Sequence, residues 1–369
     1  MNNIKKTKEI VREQNKHLYI QLKPEVNESI SKFCIRIFGH LKRYNYHIAK
    51  VSCFGSLNNR EAFESEMKLH ATDPFPITWV EGENCSESFL NGIQLWAVKA
   101  DVKYLSTNFN AKAIYFEDDD ARYLFIGDII SGFGNEEGAG YPSLLKKVES
   151  FLLQNGFLFT DVIRTWYYLD DILSWYDEFN QIRTDFFKHT GVFKNGLPAS
   201  TGVSGKNKMG LPTLMELLAV NPKSESVTVA EVKSPQQNEA NAYGSSFSRA
   251  VKFKSNSNKK WMSISGTASI LPSGETAHIG NLEKQIQCSF EVVQDILQQE
   301  GYDFDDVVRA TAYLKNKSSL PILKSFLYEN PKYHVPLIIS ENTICRDNLL
   351  FEIEMDLVKF DLVHDSTNC

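Results

Sequence analysis

Gly156-Phe157-Leu158-Phe159-Thr160-Asp161-Val162-Ile163-Arg164 lines up without a gap on Gly301-Tyr302-Asp303-Phe304-Asp305-Asp306-Val307-Val308-Arg309, and the match runs on to Tyr168-Leu169 against Tyr313-Leu314. The surroundings repeat as well. Leu145, Val148, Phe151 and Leu152, like Leu282, Ile286, Phe290, Val293 and Leu297, recur at helical spacing and stop at a glycine that tolerates a left-handed cap. Two short β-rich runs precede each helix: Ala113–Phe116 with Tyr123–Gly127, and Val251–Lys254 with Trp261–Ser265. The repeated unit therefore reads β-β-α-β-α-β, and in the first copy Trp175, Phe179, Ile182 and Phe186 mark its second helix. Two copies of so long a unit do not make a solenoid.

The polar, proline-bearing stretch from Asn221 to Gln237 marks the seam, which divides the chain into residues 1–225 and 226–369. Leu18–Leu22 and Ile48–Phe54 have strand composition, but the topology of residues 17–100 is not legible from pattern. Glu117-Asp118-Asp119-Asp120 reads as the solvated tip of a hairpin. In the repeated third strand, Ile163, Thr165, Tyr167 and Leu169, like Val308, Ala310, Ala312 and Leu314, suit a face beneath helices. Arg164, Trp166 and Tyr168, or Arg309, Thr311 and Tyr313, point the other way.

The last strand, Cys345-Arg346-Asp347-Asn348-Leu349-Leu350-Phe351-Glu352-Ile353-Glu354-Met355-Asp356, puts acids where grease is expected. Phe351, Ile353 and Met355 form a core face, and Leu350, Glu352, Glu354 and Asp356 a face that is either solvated or lines a pocket. Glu216 reads as the first-copy counterpart of Glu352, without a second acid two residues on.

Composition excludes several classes. A net charge of −6 with no long basic tract disfavours nucleic acid and anionic membranes. No run approaches the ~20 apolar residues of a spanning helix, and the six cysteines show no C-x-x-C spacing, so a cytoplasmic protein with reduced thiols is expected. The eight histidines form no H-x-x-x-H pair, and no phosphate-binding glycine loop exists, so neither metal nor cofactor is expected.

Trp261–Ser269 with Gly280, Tyr302–Leu314 and Phe351–Glu354 resemble, in order, successive elements of the reactive-intermediate deaminase (Rid/YjgF) superfamily. Tyr243–Ala250, Arg164–Tyr168, Trp175–Asn180, Leu197–Gly202 and the Cys345-Arg346-Asp347 lead-in resemble the chorismatases, two-domain relatives of that fold, over roughly Asp73 to Phe360. The resemblance implies an α+β protein of two Rid/YjgF-like (chorismate-mutase-like) sheet-plus-helix units in tandem, with ligand pockets at junctions between units and either a monomeric or a trimeric assembly. It implies a cofactor-free enzyme that protonates the enolpyruvyl group of chorismate from Glu352 and releases pyruvate. Chorismate carries two carboxylates, which guanidinium forks suit. Arg249 and Arg164 are the arginine candidates, with Tyr243, Ser246, Phe247, Ser200 and Thr201 completing the substrate set. Phe247, Leu350 and Tyr243 are expected to give Glu352 apolar surroundings; Glu354, Asp356, Arg309 and Arg183 are read as structural. Cys345, seven residues before Glu352, matches the branch that forms 3-hydroxybenzoate. The rival readings are hydrolysis of chorismate to 3,4-dihydroxycyclohexa-1,5-diene carboxylate, a Rid-type imine deaminase, and a non-catalytic ligand-binding module. The deaminases keep an arginine about fifteen residues before the glutamate, where this chain has Leu337.

Overall fold

The computed structural model describes residues 9–360 except 15, 72, 83–84, 86–87, 133–139 and 256–258; for 9–10, 14, 43–44, 242–243 and 360 it describes the backbone alone. Residues 17–100, illegible in sequence, supply most of a sheet of their own: β1 (Glu9–Gln14), β2 (His17–Leu22), α1 (Ile30–Tyr44), β3 (His47–Phe54), α2 (Arg60–His70), β4 (Ile77–Val80) and β5 (Gly92–Val98). Helix α1 starts where the Ser29 side chain accepts from the Lys32 N–H, and it ends at Asn45 in the left-handed conformation.

The next unit comprises β6 (Val102–Ser106), β7 (Lys112–Glu117), β8 (Ala121–Ser131), α3 (Tyr141–Gln154), β9 (Val162–Leu169), α4 (Ile172–His189), α5 (Val192–Asn195), β10 (Ala199–Ser204) and β11 (Thr213–Pro222). The last comprises β12 (Thr228–Val232), β13 (Ala250–Lys254), β14 (Lys259–Ala268), α6 (Leu282–Gln299), β15 (Val307–Leu314), α7 (Leu320–Glu329), β16 (Leu337–Glu341) and β17 (Phe351–Phe360). Strand β12 lies inside the stretch read as a linker and pairs with β13.

The three sheet orders are β1-β2-β5-β3-β4, β10-β9-β11-β8-β7-β6 and β12-β13-β14-β17-β15-β16. All three contain one topology: a hairpin, a helix, a strand, a helix, a strand parallel to the previous one, and a final strand inserted between hairpin and third strand. The chain thus holds three such units where the duplication shows two. Each sheet buries its outer face under its own helices. The inner faces meet in one shared core, to which Phe54, Phe125, Trp166, Phe253 and Tyr313 contribute.

A cyclic set of polar contacts closes this axis. Lys50 on β3 donates to Glu216 on β11 (2.7 Å), Arg164 on β9 donates to Glu354 on β17 (2.5 Å), and Arg309 on β15 donates to Gln94 on β5 (2.8 Å). Each unit's third strand reaches the next unit's last strand, head to tail. Asp118, expected at a solvated tip, has its side chain buried and accepts from Lys259 of the third unit (2.9 Å) and from Tyr123. Two β-bulges also alter the expected alternation. The pairing slips between Leu218 and Ala219 and between Val307 and Arg309, which turns Ile163 and Val308 from the helix side to the axis.

Candidate active site

Register assigns the acids. On β17, Glu352 lies opposite Tyr313 and Glu354 opposite Thr311; on β11, Glu216 lies opposite Trp166 and Leu214 opposite Tyr168. Because Tyr168 aligns with Tyr313 and Trp166 with Thr311, Glu216 is the counterpart of Glu354, and Leu214 that of Glu352. In the first sheet Gly92 opposite Phe54 holds the same place as Glu352. The corresponding position is therefore a carboxylic acid at one junction, between the second and third sheets, and not at the other two.

That junction contains a cleft of about 530 Å³, counting the open space at its mouth. Strand β10 and helix α4 supply Ser200, Gly202, Tyr176 and Arg183; the third unit supplies Phe247, Arg249, Cys345, Arg346 and Glu352. Glu352 is 4% exposed. Burial, with the negative charge of Glu354 beside it, raises its pKa to about 8 against the opposing pull of Arg164. It is therefore a neutral acid, able to donate a proton, at neutral pH. Glu354, two residues on, goes the other way. Burial disfavours its charge, but Arg309, Arg164 and the Thr201 hydroxyl outweigh that and hold it ionised, its pKa lowered to about 2. Two carboxyls on one strand face are thus driven apart into an acid and a fixed anion.

Gly266, in a β-bulge of β14, makes room for the acid. A Cβ there would collide with Glu352 Oε1, lie 2.9 Å from its Cδ and 3.3 Å from Thr201 Cγ2. Gly266→Ala is expected to swing the flexible carboxyl away, cutting turnover by about 100-fold or more while costing only about 1–3 kcal/mol of stability. Turnover and thermal melting measured together check this; an unimpaired rate would show that the carboxyl has another place from which to act.

Arg249 lines the cleft as expected, with Nε and Nη2 both donating to the Asn238 carbonyl, an anchor that fixes the guanidinium plane over Phe247. Arg164 does not line it. Fully buried, it donates to Glu354 and to Thr201 Oγ1 (2.8 Å), so its role is to hold Glu354 rather than a substrate carboxylate. Thr201 likewise faces inward, donating to Glu354 (2.5 Å) and accepting from Gly266 N (3.0 Å), whereas Ser200 on the same strand reaches the cleft. Ser246 is turned aside to Thr184, and Ser245 takes its place in the wall. The Tyr243 side chain lies outside the described residues. Leu350 packs against the third unit's core, leaving Phe247, Ala268 and Ile270 as the apolar lining.

Arg183, read from sequence as structural, lines the cleft. Its Nη2 donates to Asn180 (2.6 Å) and its Nη1 to Ser200 (3.4 Å), while its buried Nε has no hydrogen-bond partner among the described residues. The signal was present: Tyr176 and Arg183 sit seven residues apart on α4, hence on one helix face. Arg346 also reaches the wall, anchored on the Gly274 carbonyl. Cys345 stands between Tyr176 and Glu352, where burial and that acid push its thiol up to about 12, so it is a neutral, weakly polar wall. Among the described residues no three His, Cys, Asp or Glu side chains are grouped to hold a metal ion.

The structure superposes on a crystal structure of a chorismatase with a TM-score of 0.64, at 17% identity, over 84% of this chain and 92% of that one. This chain has the chorismatase fold. Residues 238–356, the third unit, match the family model described as Endoribonuclease L-PSP. Single-unit structures align at lower scores: a putative endoribonuclease L-PSP from Entamoeba histolytica (TM-score 0.30, 18% identity, 36% of this chain and 100% of that one) and the YjgF gene product of E. coli (0.28, 18%, 35% and 98%). A search of curated proteins found no match. No helix among the described residues is long and apolar enough to cross a membrane.

Proposed function

We propose that this chain is a chorismatase that converts chorismate to 3-hydroxybenzoate and pyruvate. The observation that carries the reading is a buried, neutral Glu352 in one cleft with three guanidiniums, those of Arg183, Arg249 and Arg346. A dianion bearing an acid-labile enol ether fits that combination: the arginines take the carboxylates, and the neutral acid meets the enolpyruvyl group. Protonation of the terminal carbon by Glu352 leaves an oxocarbenium centre, and the ring hydroxyl adds to it with loss of its proton. The ring carbon–oxygen bond of that former hydroxyl then breaks as the proton on the ether-bearing ring carbon leaves, which aromatises the ring. The resulting hemiketal oxyanion collapses to pyruvate and the 3-hydroxyl, which takes up a proton. Substrate and products of this route contain the same atoms, so no water is consumed. The leucine at 337, in β16 and buried, supplies no guanidinium where the Rid deaminases keep one, which disfavours that chemistry.

The choice of product is assigned to Cys345. If the ring's own hydroxyl is to reach the oxocarbenium, water must be kept away, and a neutral thiol beside Glu352 hydrates weakly. Wild-type protein incubated with chorismate should give 3-hydroxybenzoate plus pyruvate by NMR, and Cys345→Ala should divert part of the flux to the dihydrodiol. A wild-type product consisting of dihydrodiol alone would replace this branch with the hydrolytic one; unchanged chorismate would overturn the reading altogether. We further propose a cytoplasmic protein that works as a monomer, because the cleft draws on two units of one chain and the polar ring closes within that chain.

A further inference from the structure

A second cleft lies on the axis, away from the Glu352 cleft, and measures about 790 Å³ counting the open space at its mouth. All three sheets wall it, with Trp96, Tyr123, Phe125, Phe253 and Trp261 as its aromatic sides. Its charged lining residues are Lys50, Lys259, Arg309 and Asp356; Lys50 is held by Glu216 (2.7 Å), Lys259 by Asp118 (2.9 Å) and Arg309 by Glu354 and Asp356. Asp356 already accepts from Arg309 and from Ser263 (2.5 Å), and Gln94 Oε1 from Arg309 and Thr311. Two of the lining residues carry a buried nitrogen with no hydrogen-bond partner among the described residues, Trp166 Nε1 and Arg309 Nη2, and both are donors. Trp166 is 3% exposed. Buried donors left open in a polar floor call for an acceptor brought from outside, and aromatic walls call for a flat apolar body.

We propose that the axial cavity is a binding site for a small aromatic carboxylate, its ring between the aromatic walls and its carboxylate on Arg309 Nη2 and Trp166 Nε1. Guanidinium and carboxylate are matched in geometry, and the indole N–H adds a second, directional contact. The inference stands apart from the activity proposed for Glu352, since the two spaces share no lining residue.

The test soaks crystals of the full chain with 4-bromobenzoate, whose bromine is located by anomalous scattering. Bromine between the axial aromatic walls, with the carboxylate on Arg309, is expected. Bromine confined to the Glu352 cleft, or absent from the axis at a concentration that saturates binding in solution, overturns the proposal. Calorimetric titration with the same probe gives an independent readout. Trp166→Phe keeps the ring and loses the donor, so the axial affinity should fall about tenfold or more; Leu218→Phe, which fills the cavity, should abolish it. Equal affinity in wild type and Trp166→Phe refutes the assignment of the donor pair.

Discussion

Glu352→Gln is expected to abolish pyruvate release, with a loss of about 100-fold or more, while the fold persists. The amide is nearly isosteric with the carboxyl but has no proton to give. The pH profile should carry the same signature: wild-type kcat/KM is high while Glu352 is protonated and falls as pH rises through about 8. Stability should fall over the same alkaline range. A folded-state pKa raised above the unfolded value contributes stability that is fully present below about 4.5 and is lost as pH rises through about 8. Above that pH the wild type must bury a charge that the amide does not carry, so Glu352→Gln should match it in mild acid and exceed it at pH 9 by on the order of a few kcal/mol. Denaturant titrations of both proteins at the two pH values decide the point. A wild type with no alkaline loss of stability relative to the variant would mean that Glu352 is ionised in the fold, and the acid role would go with it.

Glu354→Gln should act chiefly on stability, the effect of a residue that the sequence reading treats as structural. Glu354 is wholly buried and answers two guanidiniums, Arg164 at 2.5 Å and Arg309 at 3.1 Å. Arg309 keeps Asp356 and Gln94 when Glu354 is neutralised, but Arg164 keeps, among the described residues, the Thr201 hydroxyl and the face of Trp166 and no carboxylate partner at hydrogen-bond distance. An uncompensated buried cation costs about 3–5 kcal/mol, enough to lower Tm by roughly 5 °C or more. The double change Arg164→Met/Glu354→Met should lose less than Glu354→Met alone, because removing both partners of a buried pair leaves no charge stranded. In whatever fraction of Glu354→Gln stays folded, the alkaline limb of the rate profile should move to lower pH, since the neighbouring anion that raises Glu352 has gone. A single variant within about 1 kcal/mol of wild type would show that Arg164 finds another acceptor.

The repeated unit and the importance of its last strand can be read from the amino-acid order alone. The gapless match of 156–164 to 301–309 and the 3.6- and 2-residue periods are local, so strands and helices after residue 111 were legible, as was the acidic face of β17. Glu352 was legible only through family likeness, because alternation alone gives Glu352, Glu354 and Asp356 the same face. What each of them does follows from its neighbours across the sheets. Glu354 meets Arg164 from the neighbouring sheet and stays charged, whereas Glu352 meets a glycine and a thiol and stays neutral. Arg164 and Arg183 exchanged roles for the same reason: which arginine is consumed by an internal carboxylate depends on contacts between residues 190 apart. Glu216 is matched to Glu354 rather than Glu352 only by register, since it lies opposite Trp166 as Glu354 lies opposite Thr311, a pairing between strands that the local sequence of the last strand does not carry. The first unit escaped detection because its axial positions hold Lys50, Ser52 and Gln94 in place of the residues that mark the other two; only hydrogen-bonded strand order, a property of the folded chain, shows the three to be alike.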